Sequence, residues 1–240
     1  MGKGKAYRNK GSKSNIFVSI EGAHGVGKTT IYNLLMNKME DNPKFKFFPE
    51  RYVKKPPFPF GSRDKQIAFR SEIHFLQQFI IRNENIRNYD EKYNGRICVL
   101  DRTPICVLVY SKSLNLKEKD YNLILDMYNS VNWIEDYIIY LTAEPDTILK
   151  RIIQRGSLEK WRKEWNEAEK EYLVKIIGYY NHFLMSDIFS DRLFIVNTEN
   201  LTPEDVLLEV IKIFTDLSGG QFKKQIQQPA AQMNLIKYLK

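Results

Sequence analysis

Residues Gly22 to Thr29 read GAHGVGKT and fit G-x-x-x-x-G-K-[ST] at every fixed position. Such glycines let successive backbone N–H groups turn inward around a phosphate, and a helix starting there adds its partial positive charge. Lys28 would reach the β- and γ-phosphates of a nucleoside triphosphate, and the Thr29 hydroxyl would ligate Mg²⁺. Gly22, Ala23, His24, Gly25, Val26, Gly27, Lys28, Thr29 and Thr30 are therefore the expected ATP-binding loop. His24 contributes a backbone amide there and is given no proton-transfer role.

Three further constellations could act with this loop. Asp101-Arg102 closes the apolar run RICVL, so its acid could hold Mg²⁺ or its waters and its arginine could grip a phosphate or a catalytic carboxylate. Pro49-Glu50-Arg51 closes FKFF; Glu50 could take the proton from an acceptor hydroxyl, the plain alternative being a solvated acid beside Arg51. Arg151 and Arg155 lie four apart in RIIQRGSLEKWRKEW, the form of a lid that brings arginines over a transferring phosphoryl group. A solvated, charged helix end is the alternative there.

The elements that must position these residues follow from hydrophobic periodicity. IFVSI (16–20), FKFF (45–48), RICVL (96–100), YIIYL (137–141) and LFIVN (193–197) read as five short buried strands,. Helical patterns separate them: one from about Lys28, a long one from about Asp64 to Tyr89, then 104–114, 118–131, 145–154 and 167–189, and a last one capped by Thr202 with Pro203 in its first turn,. Strands alternating with helices predict a parallel sheet covered on both faces.

Composition narrows the function classes. The chain has 240 residues and 43% hydrophobic content, enough for one large domain, which excludes disorder throughout. No apolar stretch is long enough for a membrane helix and no signal-peptide pattern opens the chain, so a soluble, cytoplasmic protein is expected. Cys98 and Cys106 offer neither a disulfide framework nor, with three scattered histidines, a zinc-ligand spacing,. The net charge of +8 sits in the tails. Lys3, Lys5, Arg8, Lys10 and Lys13 face no acid in residues 1–15, nor do Lys223, Lys224, Lys237 and Lys240 in residues 218–240. The remaining 28 basic residues meet 29 acids, so the body at 16–217 is close to neutral and shows no stripe that would track nucleic acid.

Taken together, the loop, the strand-end acids and the arginine segment resemble the deoxynucleoside kinases and thymidylate kinases over residues 16 to about 200. The loop EGAHGVGKTT, with Glu21 and Thr30, matches the E-G-x-x-G-x-G-K-[ST]-T of that family. Asp101-Arg102-Thr103 followed by PICVLVY is similar to a stretch of viral thymidine kinases. The resemblance implies a three-layer P-loop kinase fold: a five-stranded parallel sheet flanked by helices, with a helical lid. It places ATP on the loop and the acceptor in a cleft lined by the long second helix and the strand ends. It makes Lys28, Glu50, Asp101, Arg102 and Arg155 the catalytic set, Thr29 and Asp101 the Mg²⁺ ligands, and Arg151 and Arg155 further contacts to ATP. Glu50, Gln78, Arg82 and Arg102 become acceptor contacts.

Pro49-Glu50 is closer to the Pro-Glu-Pro of nucleoside kinases than to the Arg-Glu-Pro-Gly of thymidylate kinases. The reading is thus phosphoryl transfer from ATP to a pyrimidine, thymidine-like deoxynucleoside, with a thymidylate kinase acting on dTMP as the alternative. A nucleic-acid-dependent ATPase and a regulatory nucleotide-binding module are the other classes. A signalling GTPase is disfavoured, because its only guanine-reading look-alike, Asn37-Lys38-Met39-Glu40, lies within the first helix and ends in Glu. Family members are commonly dimers, so a homodimer is one expected partner. Gln232, Leu235, Tyr238 and Leu239, after a flexible SGGQ linker, resemble a sliding-clamp-binding peptide,. Residues 1–15 are expected to be a disordered basic tail, 16–217 the P-loop kinase domain, and 218–240 a C-terminal basic tail that carries the clamp-like peptide.

Overall fold

A computed structural model describes residues 14–50, 61–155 and 166–219. Residues 1–13 and 220–240, which hold all the basic residues of both tails and the clamp-like peptide, and the segments 51–60 and 156–165, the second with the expected lid, lie outside these residues. The strands are β1 (Ile16–Glu21), β2 (Phe45–Phe48), β3 (Ile97–Asp101), β4 (Tyr137–Thr142) and β5 (Leu193–Asn197). They form one sheet in the order β2-β3-β1-β4-β5, parallel throughout. The described helices are α1 (Lys28–Lys38), α2 (Lys65–Lys92), α3 (Ile105–Ser113), α4 (Glu118–Ser130), α5 (Pro145–Gln154), α6 (Lys170–Leu184) and α7 (Pro203–Leu217).

Pairing puts β1 between β3 and β4, with Ile20 level with both Asp101 and Ile139. The phosphate loop and the Asp101-Arg102 turn therefore leave the same edge side by side. Alternation divides the packing: Val18 and Val99 join the main core, while Phe17, Cys98 and Leu100 form a second cluster with Phe48 and Ile86. Burial on both faces is what a sheet covered by helices requires. Around it α1 packs on α7, while α3 packs on α2, α4 and α6, and α5 joins through α6.

Local chemistry sets the helix starts. Asp64 caps α2 by accepting from the N–H groups of Gln66 and Ile67. Thr202 and Asp205 close a reciprocal capping box on α7, with Pro203 at its first position,. The helix expected over 167–189 is shorter. It stops at Leu184 and a 3₁₀ turn follows at Asp187–Phe189. Cys98 and Cys106 are both buried and unbridged.

The junction of β1 and the loop is tightly constrained. Gly22 has φ +147°, and a β-carbon there would stand 2.3 Å from the Leu141 carbonyl oxygen of β4. Gly22→Ala must push β1 and β4 apart or rebuild the loop, so it is expected to cost more than about 2 kcal/mol. Urea unfolding of the two proteins measures the difference; equal midpoints would contradict it.

Candidate active site

The loop is shaped by its glycines. Gly22, Gly25 and Gly27 all have positive φ, and Gly25 lies so close to α5 that a β-carbon would come within 2.7 Å of the Ile152 side chain. Gly27 caps α1 without a side-chain bond, which leaves first-turn amides open to an anion. Lys28 is folded back and buried, its ammonium donating to the carbonyl oxygens of Gly22 at 2.6 Å and Ala23 at 2.8 Å. Burial, and then the nearby Arg102, lower its pKa, while Glu21 opposes them. Thr29 and Thr30 are exposed on the first turn.

The second half of the site is the turn after β3. Arg102 has φ +66°, a left-handed conformation that costs a non-glycine residue about 1 kcal/mol or more unless its surroundings impose it. Four bonds do so. The Arg102 N–H donates to the Ile20 carbonyl at 3.0 Å, and the Thr103 N–H to Glu21 Oε2 at 2.8 Å. Arg82 donates to the carbonyl oxygens of Asp101 at 2.5 Å and Arg102 at 2.8 Å. The Arg102 side chain is thereby aimed at Glu50, with Nε 2.7 Å from Oε1. Beside the pair, Asp101 Oδ1 is buried and has no hydrogen-bond partner among the described residues. Burial raises the Asp101 pKa, Glu50 adds to the rise, and Arg102, Lys28 and Arg82 oppose it.

An unpaired carboxylate oxygen at the strand edge and an exposed threonine hydroxyl on the next helix are a sparse set of hard oxygen donors. That suits Mg²⁺, which keeps waters and completes its shell with substrate phosphates. No cluster of three or more His, Cys, Asp or Glu residues capable of holding a metal by itself exists among the described residues. The residues thus fit a cation bound together with a nucleotide.

The structure brings Lys28, Glu50, Asp101 and Arg102 together and reassigns several other expectations. Arg82 was expected to touch the acceptor, but it is 2% exposed and is used on the backbone of the Asp101-Arg102 turn. It shapes the turn from behind. Arg151 donates to Thr198 Oγ1 at 2.8 Å, to the Thr198 carbonyl at 2.6 Å and, at 3.3 Å, to the carbonyl of Val26 in the loop. It tethers α5 to the loop. Arg155 is exposed just after α5, next to the segment read as a lid, which is not described. Gln78 is half-buried on α2 and Gln77 is exposed. The His24 amide, expected to face phosphate, instead donates to the Tyr110 hydroxyl at 3.2 Å.

Three carboxyl groups escaped the reading of site residues from sequence. Glu21 was noted only as part of a motif. It is fully buried, its Oε1 accepting from the Gly22 N–H at 2.8 Å and the Tyr180 hydroxyl at 2.9 Å. Glu135 accepts from the hydroxyls of Ser19 at 2.7 Å and Thr103 at 2.8 Å, and burial pushes its pKa up to about 6. Glu72 on α2 is 4% exposed. No hydrogen bond reaches it among the described residues, yet it feels both Arg102 and Glu50, and burial pushes its pKa up to about 8. An acid in an apolar helix face without a partner is the only sequence signal that could have singled it out.

Comparisons with known proteins agree with this geometry. A family model described as deoxynucleoside kinase matches residues 18–223. A deoxyguanosine kinase of Bacillus subtilis (strain 168) is 27% identical over 179 residues, covering 68% of this chain and 76% of its own length. Among solved structures, a deoxyadenosine kinase from M. mycoides with the products dCMP and a flexible dCDP has a TM-score of 0.64 at 22% identity, over 84% of this chain and all of that one. The same enzyme with bound dATP also gives 0.64, over 83% and 99%.

Glu72 carries a testable pH signature. Its folded pKa, about 8, lies above the ordinary 4.5, so between these values the folded chain binds more protons than the unfolded one. Stability from this group is then complete below about pH 4.5 and falls as pH rises towards 8. Glu72→Gln removes only that dependence. The melting temperature of the variant minus that of the native protein is expected to grow by several degrees from pH 5 to pH 8; a constant difference would contradict the assignment.

Proposed function

Since the chain belongs to the deoxynucleoside kinase family, we propose that it moves the γ-phosphoryl group of ATP to the 5′-hydroxyl of a deoxynucleoside. The observation that carries this reading is the Glu50–Arg102 pair, held 2.7 Å apart at the strand edge beside the phosphate loop. A hydroxyl acceptor must lose a proton as the O–P bond forms and the bond to the β-phosphate oxygen breaks. Glu50 is the carboxylate placed to receive it. Arg102 fixes the orientation of that carboxylate and offers its remaining donors to charge developing on the transferring group.

On the donor side, among the described residues Lys28 donates its hydrogen bonds to backbone carbonyls alone, and these are bonds it can exchange for β- and γ-phosphate oxygens. Thr29 and Asp101 are the residues that would hold Mg²⁺, which when bound offsets phosphate charge. Arg151 keeps α5 against the loop, and Arg155, exposed just after α5, is the arginine assigned to the phosphates in this reading.

Charge favours a nucleoside over its monophosphate. Glu50, Glu72 and Asp101 stand around Arg102, while Arg82 is committed to backbone. A dianionic acceptor would meet these carboxyl groups, and among the described residues the arginine beside them, Arg102, already answers the charge of Glu50. For the base, the similarity of 101–110 to viral thymidine kinases supports thymidine. The relatives named above are a deoxyguanosine and a deoxyadenosine kinase.

An acceptor screen with γ-labelled ATP over the four deoxynucleosides, dTMP and no acceptor tests the reading. Label is expected in at least one deoxynucleoside and not in dTMP. Glu50→Gln is expected to lower kcat by about 10²–10⁴-fold with little change in KM for ATP. Transfer to dTMP with near-normal turnover by Glu50→Gln would refute it.

A further inference from the structure

One tyrosine touches both halves of the site. Tyr110, on α3, accepts the His24 N–H of the phosphate loop at 3.2 Å, and its hydroxyl stands 3.3 Å from His24 Nδ1. The guanidinium of Arg102, in the turn that Glu21 ties to the phosphate loop, interacts electrostatically with the same hydroxyl. Burial raises the Tyr110 pKa and keeps the proton on oxygen, so the O–H donates to Nδ1 while the oxygen accepts from the His24 amide.

The imidazole completes the chain in a consistent tautomer. Its Nε2 lies 3.0 Å from the Glu167 carbonyl, an acceptor only, so Nε2 carries the hydrogen and Nδ1 is free to accept. Burial holds the ring neutral, with a pKa of about 3. The ring is flanked by Tyr110 at 6.2 Å and Tyr172 at 5.9 Å. The Glu50–Arg102 ion pair, the electrostatic interaction of Arg102 with Tyr110 and the bond from the His24 amide to the Tyr110 hydroxyl thus connect Glu50 with the phosphate loop.

We propose that Tyr110 is a positioning residue that links the acceptor arginine to the phosphate loop, so that binding of one substrate strengthens binding of the other. The inference rests on the kinase reading above. An acceptor that engages Glu50 fixes Arg102, which fixes the Tyr110 hydroxyl and, through His24, the loop amides that meet phosphate. Ordering one end leaves less to be ordered at the other, which is positive coupling.

The test measures the dissociation constant of a non-hydrolysable ATP analogue with Mg²⁺, without and with a saturating deoxynucleoside that the acceptor screen shows to be a substrate. In the native protein the acceptor is expected to tighten analogue binding at least about fivefold. In Tyr110→Phe, which keeps the ring and its packing on Tyr180, that factor is expected to fall below about two. His24→Asn, which keeps the backbone amide but removes the ring link, should lower it to an intermediate value and stands in if Tyr110→Phe does not fold.

A native protein with no coupling, or a Tyr110→Phe protein with native coupling, overturns the linkage. If Tyr110→Phe does not fold, native coupling in His24→Asn overturns it equally. Absence of transfer to any deoxynucleoside overturns the kinase reading instead, so the two failures are distinct.

Discussion

The site is organised around one buried carboxylate. Glu21, the last residue of β1, accepts from the N–H of Gly22 at the start of the phosphate loop and from the N–H of Thr103 just after Asp101-Arg102. Its two oxygens join the loop before α1 to the turn after β3, and the Tyr180 hydroxyl brings α6 to the same point. Burial pushes its pKa up, and Lys28 and Arg102 pull it back. Fully enclosed, it must be answered on every side. The positions of the loop, the turn and both cations follow from meeting that demand.

The same logic explains the left-handed Arg102. A strand running straight on would carry its side chain past the sheet edge. The reversal at φ +66° sends it across to Glu50 instead, and Arg82 makes the reversal tolerable by satisfying two carbonyls that the turn leaves without partners,. Glu135 supports this from beneath, linking Ser19 of β1 to Thr103. Polar groups deep in the domain thus hold the strained turn, and the residues facing the cleft need supply none of that energy.

How much of this was readable from the sequence depended on whether the signal was local. The five strands, their parallel arrangement, the α7 cap and the loop glycines are local patterns: β-branched runs, alternation with helices, Thr-Pro-Glu-Asp, and a fixed spacing before Lys28. Lys28, Glu50, Asp101 and Arg102 followed because strand ends of a parallel sheet share one edge. Arg82 was misread because an arginine on a long helix looks the same in sequence whether it faces ligand or backbone. Glu72 and Tyr110 were missed because each depends on contacts between helices far apart in sequence. His24 was reduced to its amide because the loop pattern leaves its position open, whereas Tyr110 and Glu167, which give the ring its work, lie 86 and 143 residues away.

Seven ionisable groups, Glu21, Lys28, Glu72, Arg82, Asp101, Arg102 and Glu135, are largely removed from water at one end of the sheet. In a near-neutral body this concentration is a cost to folding, since desolvating paired charges seldom repays itself. An apolar core of similar shape would be more stable and could not bind phosphate. The acids outnumber the cations in this set, and burial raises the pKa of Glu21, Glu72, Asp101 and Glu135 alike. On the kinase reading proposed above, a triphosphate bound with its cation would change that balance: phosphate oxygens would replace the loop carbonyls as partners of Lys28, and positive charge beside Asp101 would offset part of the cost of burying that carboxyl group,.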